Sequence, residues 1–335
     1  LNLFRDEAGA LNVRGLGLDP AAQRSSRGTT PEALAAELSR FSEIRFQRCT
    51  VVIEQGVLAR NTVALELNEL VAKRRFDGFM VRADGQLPDA FGGRARITAD
   101  IKGDPAQPAS WQGRWEVNGG GLQPQAWLQP WLLPSAQVLA SELDLSLRGQ
   151  LSAGALERIA LDLRAARLAA EQGGVLQRDL RDLVLVGYLD FDHPGWRVDL
   201  RRFSVGGEQA WRIGRASAAW QPLADGAGFA LHADAERLRP ALLQPWLALL
   251  AEPPAALAKL PTFSGDLQAP VLRVRREADQ ILRLAYRAEL QNFGLANDTV
   301  QMRGLNGELS GSEREGRLTV PPQALYVNLP RAFEQ

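Results

Sequence analysis

Ser141-Glu142-Leu143-Asp144-Leu145-Ser146-Leu147-Arg148 alternates, from Glu142 onward, an apolar residue with a polar or charged one. Successive side chains of a β-strand point to opposite faces, so this run has a leucine face and a face for water. The same period recurs in residues 62–67, 94–101, 196–201 and 281–287. One wet face per strand predicts antiparallel sheet, because strands buried under helices on both sides read as unbroken apolar runs. Asp84-Gly85, Gly103-Asp104, Gly206-Gly207 and Gly226-Ala227-Gly228 read as turns between strands. Asn118-Gly119-Gly120-Gly121 reads as a loop leading into a helix at Trp127. The fold expected is mainly β: a meander of short antiparallel strands with a few short helices.

Three helices are predicted. Thr30-Pro31-Glu32 opens the first, over 31–41, with Thr30 as cap, Pro31 at the first helical position and Leu34, Leu38 and Phe41 on one face. The other two, over 125–133 and 240–250, carry an internal repeat: Leu128-Gln129-Pro130-Trp131-Leu132 recurs as Leu243-Gln244-Pro245-Trp246-Leu247. Weaker repeated blocks follow in the same order, which suggests a repeated unit of about 115–125 residues. The expected organisation is a first β unit over 1–120, a second over 121–237 and a third, truncated one over 238–335. Repeats of this kind stack into elongated bodies.

The 335 residues carry zero formal net charge, which argues against nucleic acid as a partner. Cys49 is the only cysteine, so no internal disulfide forms and zinc-site spacing is absent. It sits among Val51 and Ile53 and is expected to be a buried thiol. No run reaches the roughly 18–20 apolar residues that a membrane-spanning helix needs. The chain opens at Leu1 without methionine and is read as a fragment of something longer.

The sequence offers little for covalent chemistry. It has no Gly-x-Ser-x-Gly elbow, no zinc-protease His-Glu pattern and no phosphate loop. His193 and His232 are the only histidines. Asp190-Phe191-Asp192-His193-Pro194-Gly195 resembles the start of a calcium loop, but Pro194 takes the fifth position and Arg201 the place of the closing glutamate, so it reads as a turn. No metal and no organic cofactor is expected. Arg197, Arg201, Arg202 and Arg212 form a basic group that suits either phosphate or plain solvation.

The C-terminal part is the most specific. Leu305-Asn306-Gly307-Glu308-Leu309, Gly316-Arg317-Leu318-Thr319-Val320 and the strand ending Leu329-Pro330 before Phe333 resemble the pattern of the YhdP family in the AsmA-like superfamily. The Trp111-Gln112-Gly113-Arg114-Trp115 stretch and the helix openings near Leu122 and Leu238 are similar too. The resemblance implies a curled, trough-like antiparallel sheet in the periplasm. It would be anchored to the inner membrane by a helix outside this stretch, and would carry phospholipid between the two membranes without enzymatic chemistry. The partners so implied are phospholipid acyl chains, the inner membrane and envelope proteins; the alternative is a TamB-like assembly factor. Alternation within each strand then nominates Leu143, Leu145, Leu147, Leu161, Leu163, Val198, Leu200, Leu282, Leu284, Leu318 and Val320 as the lipid-facing residues. An open trough and a closed sandwich remain alternatives at this point, since both hide one face.

Overall fold

The computed structural model describes residues 2–5, 11–14, 40–53, 63–104, 107–128, 132–191, 194–206, 210–223, 228–247, 249–250, 261–277, 282–297 and 300–329. They are predominantly antiparallel strand, with two short α-helices. The chain divides into two compact units: Leu1–Pro130 with Val138–Leu168, and Trp131–Gln137 with Ala169–Gln335.

In chain order the elements up to the division are β1 (Asn2–Arg5), β2 (Leu11–Arg14), β3 (Glu43–Ile53), β4 (Val63–Arg75), β5 (Gly78–Gln86), β6 (Arg94–Lys102), β7 (Gln112–Gly120), α1 (Pro124–Leu128), β8 (Ala136–Ser141), β9 (Asp144–Ser152) and β10 (Ala155–Gln172). There follow β11 (Val175–Asp190), β12 (Trp196–Gly206), β13 (Trp211–Ile213), β14 (Ala216–Pro222), β15 (Phe229–Ala235), β16 (Arg237–Leu238), α2 (Pro240–Leu247), β17 (Thr262–Arg276), β18 (Leu282–Ala296), β19 (Gln301–Ser312), β20 (Gly316–Thr319) and β21 (Tyr326–Asn328).

In the first unit β3, β4, β5, β6, β7, β9 and β10 pair successively and antiparallel. β1 adds to β3 in parallel, and β2 pairs with β1. In the second unit the order is β11, β12, β14, β15, β17, β18, β19, β20, again antiparallel. β13, β16 and β21 are short additions to β12, β17 and β19.

Bulges bend these ladders in step. Arg48, at φ 51°, is skipped in β3, and Asn68 opposite is skipped in β4. In the second unit Gly265 (φ 77°) and Asn292 (φ 45°) sit at register shifts on β17 and β18, and Gly304 (φ 82°) sits near one on β19. A bulge bends its strand and tightens its twist, so neighbouring bulges turn several strands together.

The packed cores lie where the helices meet the sheets. In the first unit Leu87, Phe91, Leu122, Val138 and Leu143 are buried, and Phe91 meets Trp127 of α1 edge-on at 4.8 Å. In the second unit Leu180, Leu183, Val205, Trp211, Leu242, Leu290 and Leu305 are buried. Each helix ties itself to a strand with a glutamine. Gln125 Oε1 accepts from Val138 N at 2.5 Å, and Gln244 donates to Pro261 O at 2.7 Å while accepting from Phe263 N at 3.2 Å. A charge cluster belongs to the second core as well. Asp266, 7% exposed, accepts from Arg239 Nε at 2.8 Å and from Arg237. Burial pushes its carboxyl up, but the two guanidinium groups outweigh burial and hold it below the usual range.

Several expectations are corrected. Helix 125–133 ends at Leu128, and Leu132 already bridges Leu250; the helix expected over 240–250 ends at Leu247. The helix expected over 31–41 lies outside the described residues, apart from a turn at Arg40 and a bend at Phe41. Asp84-Gly85 is not a turn: both lie inside β5, where a Cβ on Gly85 would stand 2.6 Å from the Glu66 carbonyl oxygen at the bulge. Gly119 and Gly120 continue β7 rather than forming a loop, and a Cβ on Gly119 would stand 2.9 Å from Leu122 Cδ1. The opening octapeptide is itself divided, since Ser141 ends β8 and Asp144 begins β9. Cys49 is half-buried, because the face it shares with Leu67 is open.

Candidate functional site

Residues directly paired across an antiparallel ladder point to the same side. In the first unit, Phe46, Leu70, Ala83, Ile97, Val117, Leu147 and Leu161 are successive register partners and form one apolar row across seven strands. Two residues further along each strand, Ile44, Ala72, Val81, Ala99, Trp115, Gly149 and Ile159 form the next. On the other side of the first row lie Cys49, Leu67, Gly85, Ala95, Gly119, Leu145 and Leu163. The paired bulges at Arg48 and Asn68 keep these rows in step. At a spacing of about 4.8 Å, strands β3 to β10 carry the apolar rows over about 30 Å.

The second unit repeats the arrangement with different residues. Leu189, Val198, Ala218, Ala233, Leu272, Tyr286 and Gly311 form one row, beside Trp196, Trp220, Leu231, Val274 and Leu284. Leu318 joins the same face through Leu309 and Ala288.

The opposite faces are charged. Gln47, Glu69, Asp84, Arg96, Asn118, Ser146 and Asp162 form the intervening row of the first unit. Arg96 Nε donates to Asp84 at 3.1 Å and holds that carboxyl below its usual range. Arg75 donates to Asp100 at 2.8 Å, and Arg164 to Asp162 at 3.0 Å. These exposed pairs add little stability. Their physical effect is to keep water on that side.

Among the described residues the apolar rows are left uncovered. Ile97 is 39% exposed, Val198 38%, Leu272 37% and Leu282 49%, while Leu145, Leu147, Leu161 and Leu163 are half-buried. The inner faces of a sandwich would bury one another. Among the described residues no second sheet covers either face. Among the described residues, Leu122, just before α1, closes over Gly119 in the first unit, and Leu242 of α2 is buried in the second.

Of the residues nominated from sequence, Leu145, Leu147, Leu161 and Leu163 come together on the open face of the first unit. Val198, Leu200, Leu282, Leu284 and Leu318 share that of the second. Leu143 lies before β9, is 7% exposed, and its carbonyl accepts from Leu122 N, so it belongs to the packed end. Val320 follows β20 and is 41% exposed. The lipid-facing set nominated from sequence leaves out the aromatic part of both faces: Phe46, Trp115, Trp196, Trp220 and Tyr286. Their alternation with Gln47, Arg114, Arg197, Gln221 and Arg287 carried the signal.

Shallow depressions of about 460, 610 and 520 Å³ lie on the charged faces, each lined in part by arginines. Among the described residues no three His, Cys, Asp or Glu side chains group to hold a metal ion. No helix among them is long and apolar enough to cross a membrane.

A sheet charged on one face and apolar on the other, open among the described residues, defines a class of protein built on an amphipathic antiparallel sheet. The chain belongs to the YhdP protein family, whose model matches residues 1–335. That family is associated with the cell envelope. No curated protein and no solved structure matches the chain at a significant level.

Proposed function

We propose that the chain is a length of a non-enzymatic lipid conduit, moving phospholipid between the inner and outer membranes through the periplasm. The observation that carries the reading is the run of apolar rows unbroken from strand to strand yet open to solvent. An exposed leucine forgoes about 1.5–3 kcal/mol relative to a buried one, and each methylene of an acyl chain in water costs about 0.8 kcal/mol. Laying acyl chains on these rows removes both penalties at once. Contacts of this kind are non-directional, so the chains can slide between equivalent positions while headgroups stay in water. No bond is made or broken. In the full-length protein, a helix outside this stretch provides the anchor to the inner membrane.

The test is to purify the chain from Gram-negative cells, extract it with organic solvent and identify lipids by mass spectrometry. Bound phospholipid is expected at one or more molecules per chain. Preparations free of lipid, on a folded protein, would favour a TamB-like role in envelope assembly.

A further inference from the structure

The charged face of the second unit departs from that of the first in one place. In the first unit the depressions mix charges: Arg114, Arg148 and Arg158 stand with Asp100 and Glu116 in one. The 520 Å³ depression of the second unit is lined by Arg197, Arg273, Arg275 and Arg283, with His232 and Gln221, and by no carboxylate. Its floor is Ala219, Ala230 and Ala285, short side chains directly opposite the longer His232, Gln221 and Arg273.

The register explains how the arginines converge. His232 is directly opposite both Ala219 and Arg273, and Arg273 is opposite Ala285. Arg275 is directly opposite Arg283. Like charges in that position repel and work against the ladder. Glu277 answers both at 3.2 Å, and Arg197 has Asp199 at 3.5 Å. Arg273 has no ion pair among the described residues. Glu277 offsets the repulsion between Arg275 and Arg283, which leaves the guanidinium of Arg273, beside the alanine floor, to meet an anion from outside the chain.

We infer that this depression binds phosphate-bearing anions, with Arg273 as the central contact and Arg197, Arg275 and Arg283 around it. Guanidinium groups hold phosphate oxygens in pairs through charge-assisted hydrogen bonds, and several at one place select a multiply charged or clustered phosphate over a lone carboxylate. The site lies on the face opposite the apolar rows and does not depend on acyl-chain binding. The phosphate comes either from a soluble phosphoanion or from the headgroups of an anionic lipid surface.

The experiment uses the whole chain. Binding is measured by calorimetry with pyrophosphate, and by flotation with phosphatidylglycerol vesicles against phosphatidylcholine vesicles. Each is compared in wild type, in Arg273→Ser/Arg283→Ser, and in Arg148→Ser/Arg158→Ser, which makes the same change of charge on the first unit. Circular dichroism checks that each variant keeps its strand content. Binding is expected to weaken as salt rises, to fall about tenfold or more in the second-unit variant, and to stay within about twofold in the first-unit one. Pyrophosphate binding assigns the site to a soluble anion; binding to phosphatidylglycerol vesicles without pyrophosphate assigns it to headgroups. No binding of either kind above the phosphatidylcholine background, or equal loss in both folded variants, would overturn the proposal.

Discussion

Trp115 lies over Gly149, its register partner on β9: a Cβ added at Gly149 would fall 2.0 Å from the indole. The glycine is what lets the largest side chain of the first open face lie along the sheet. Gly149→Ala should therefore displace the indole and destabilise the first unit by about 1–3 kcal/mol. Trp115→Ala should make room for the same methyl group, so the double variant should lose less than the two single changes added together. Urea unfolding of the three variants measures the coupling.

Open and packed parts of the apolar faces should respond differently to a carboxylate. Leu290 is 3% exposed and is packed in the row of Leu238 and Leu267. Leu290→Asp should cost several kcal/mol and unfold the second unit. Leu147 is half-buried on an open row, where water reaches an introduced carboxylate. Leu147→Asp should cost about 1–2 kcal/mol and leave the fold intact. Thermal melting with far-UV circular dichroism separates the outcomes; equal loss at both positions would mean that the rows are covered.

Asp266 gives a pH signature. Its carboxyl is held below its unfolded value, so its contribution is complete above about pH 4 and fades as pH falls through the folded pKa. Asp266→Asn should cost about 2 kcal/mol at neutral pH, by leaving Arg237 and Arg239 short of a charged partner. The gap between wild type and variant should narrow below about pH 4, which melting curves at a series of pH values would follow.

The bulge on β17 makes a backbone prediction. Gly265 has φ 77°, and a Cβ there would stand 2.3 Å from the Asn292 carbonyl oxygen. Gly265→Ala should cost about 1–3 kcal/mol, with the loss seen first in hydrogen exchange at β17 and β18.

The strands were legible because alternation survives in single segments: residues 94–101 fall in β6 and 196–201 in β12. Leu145 and Leu147 could be placed on one face without any partner strand. What joined them to Leu161 and Leu163 was the register, which no local pattern encodes. Bulges hid from the reading because Arg48 and Asn68 break the period by one residue, which in sequence looks like the end of a strand. Asp84-Gly85 misled for a related reason: its glycine serves a close approach to the neighbouring strand, not a turn. The Asp266 cluster gave no signal, since Arg237 is 29 residues away in sequence. Whether the faces were open or covered depends on what packs above them, and alternation is the same in both cases.

The central claim is that acyl chains lie on the open rows, and site-specific photocrosslinking in cells tests it most directly. A photoreactive amino acid would replace Leu147 or Leu200 on the apolar faces, and Ser146 or Ser310 on the charged faces, within the full-length protein. Adducts would be read by mass spectrometry. The account predicts phospholipid adducts at Leu147 and Leu200 in much higher yield than at Ser146 and Ser310. Adducts in equal yield on both faces, or none at Leu147 and Leu200 in a folded and expressed protein, would contradict it.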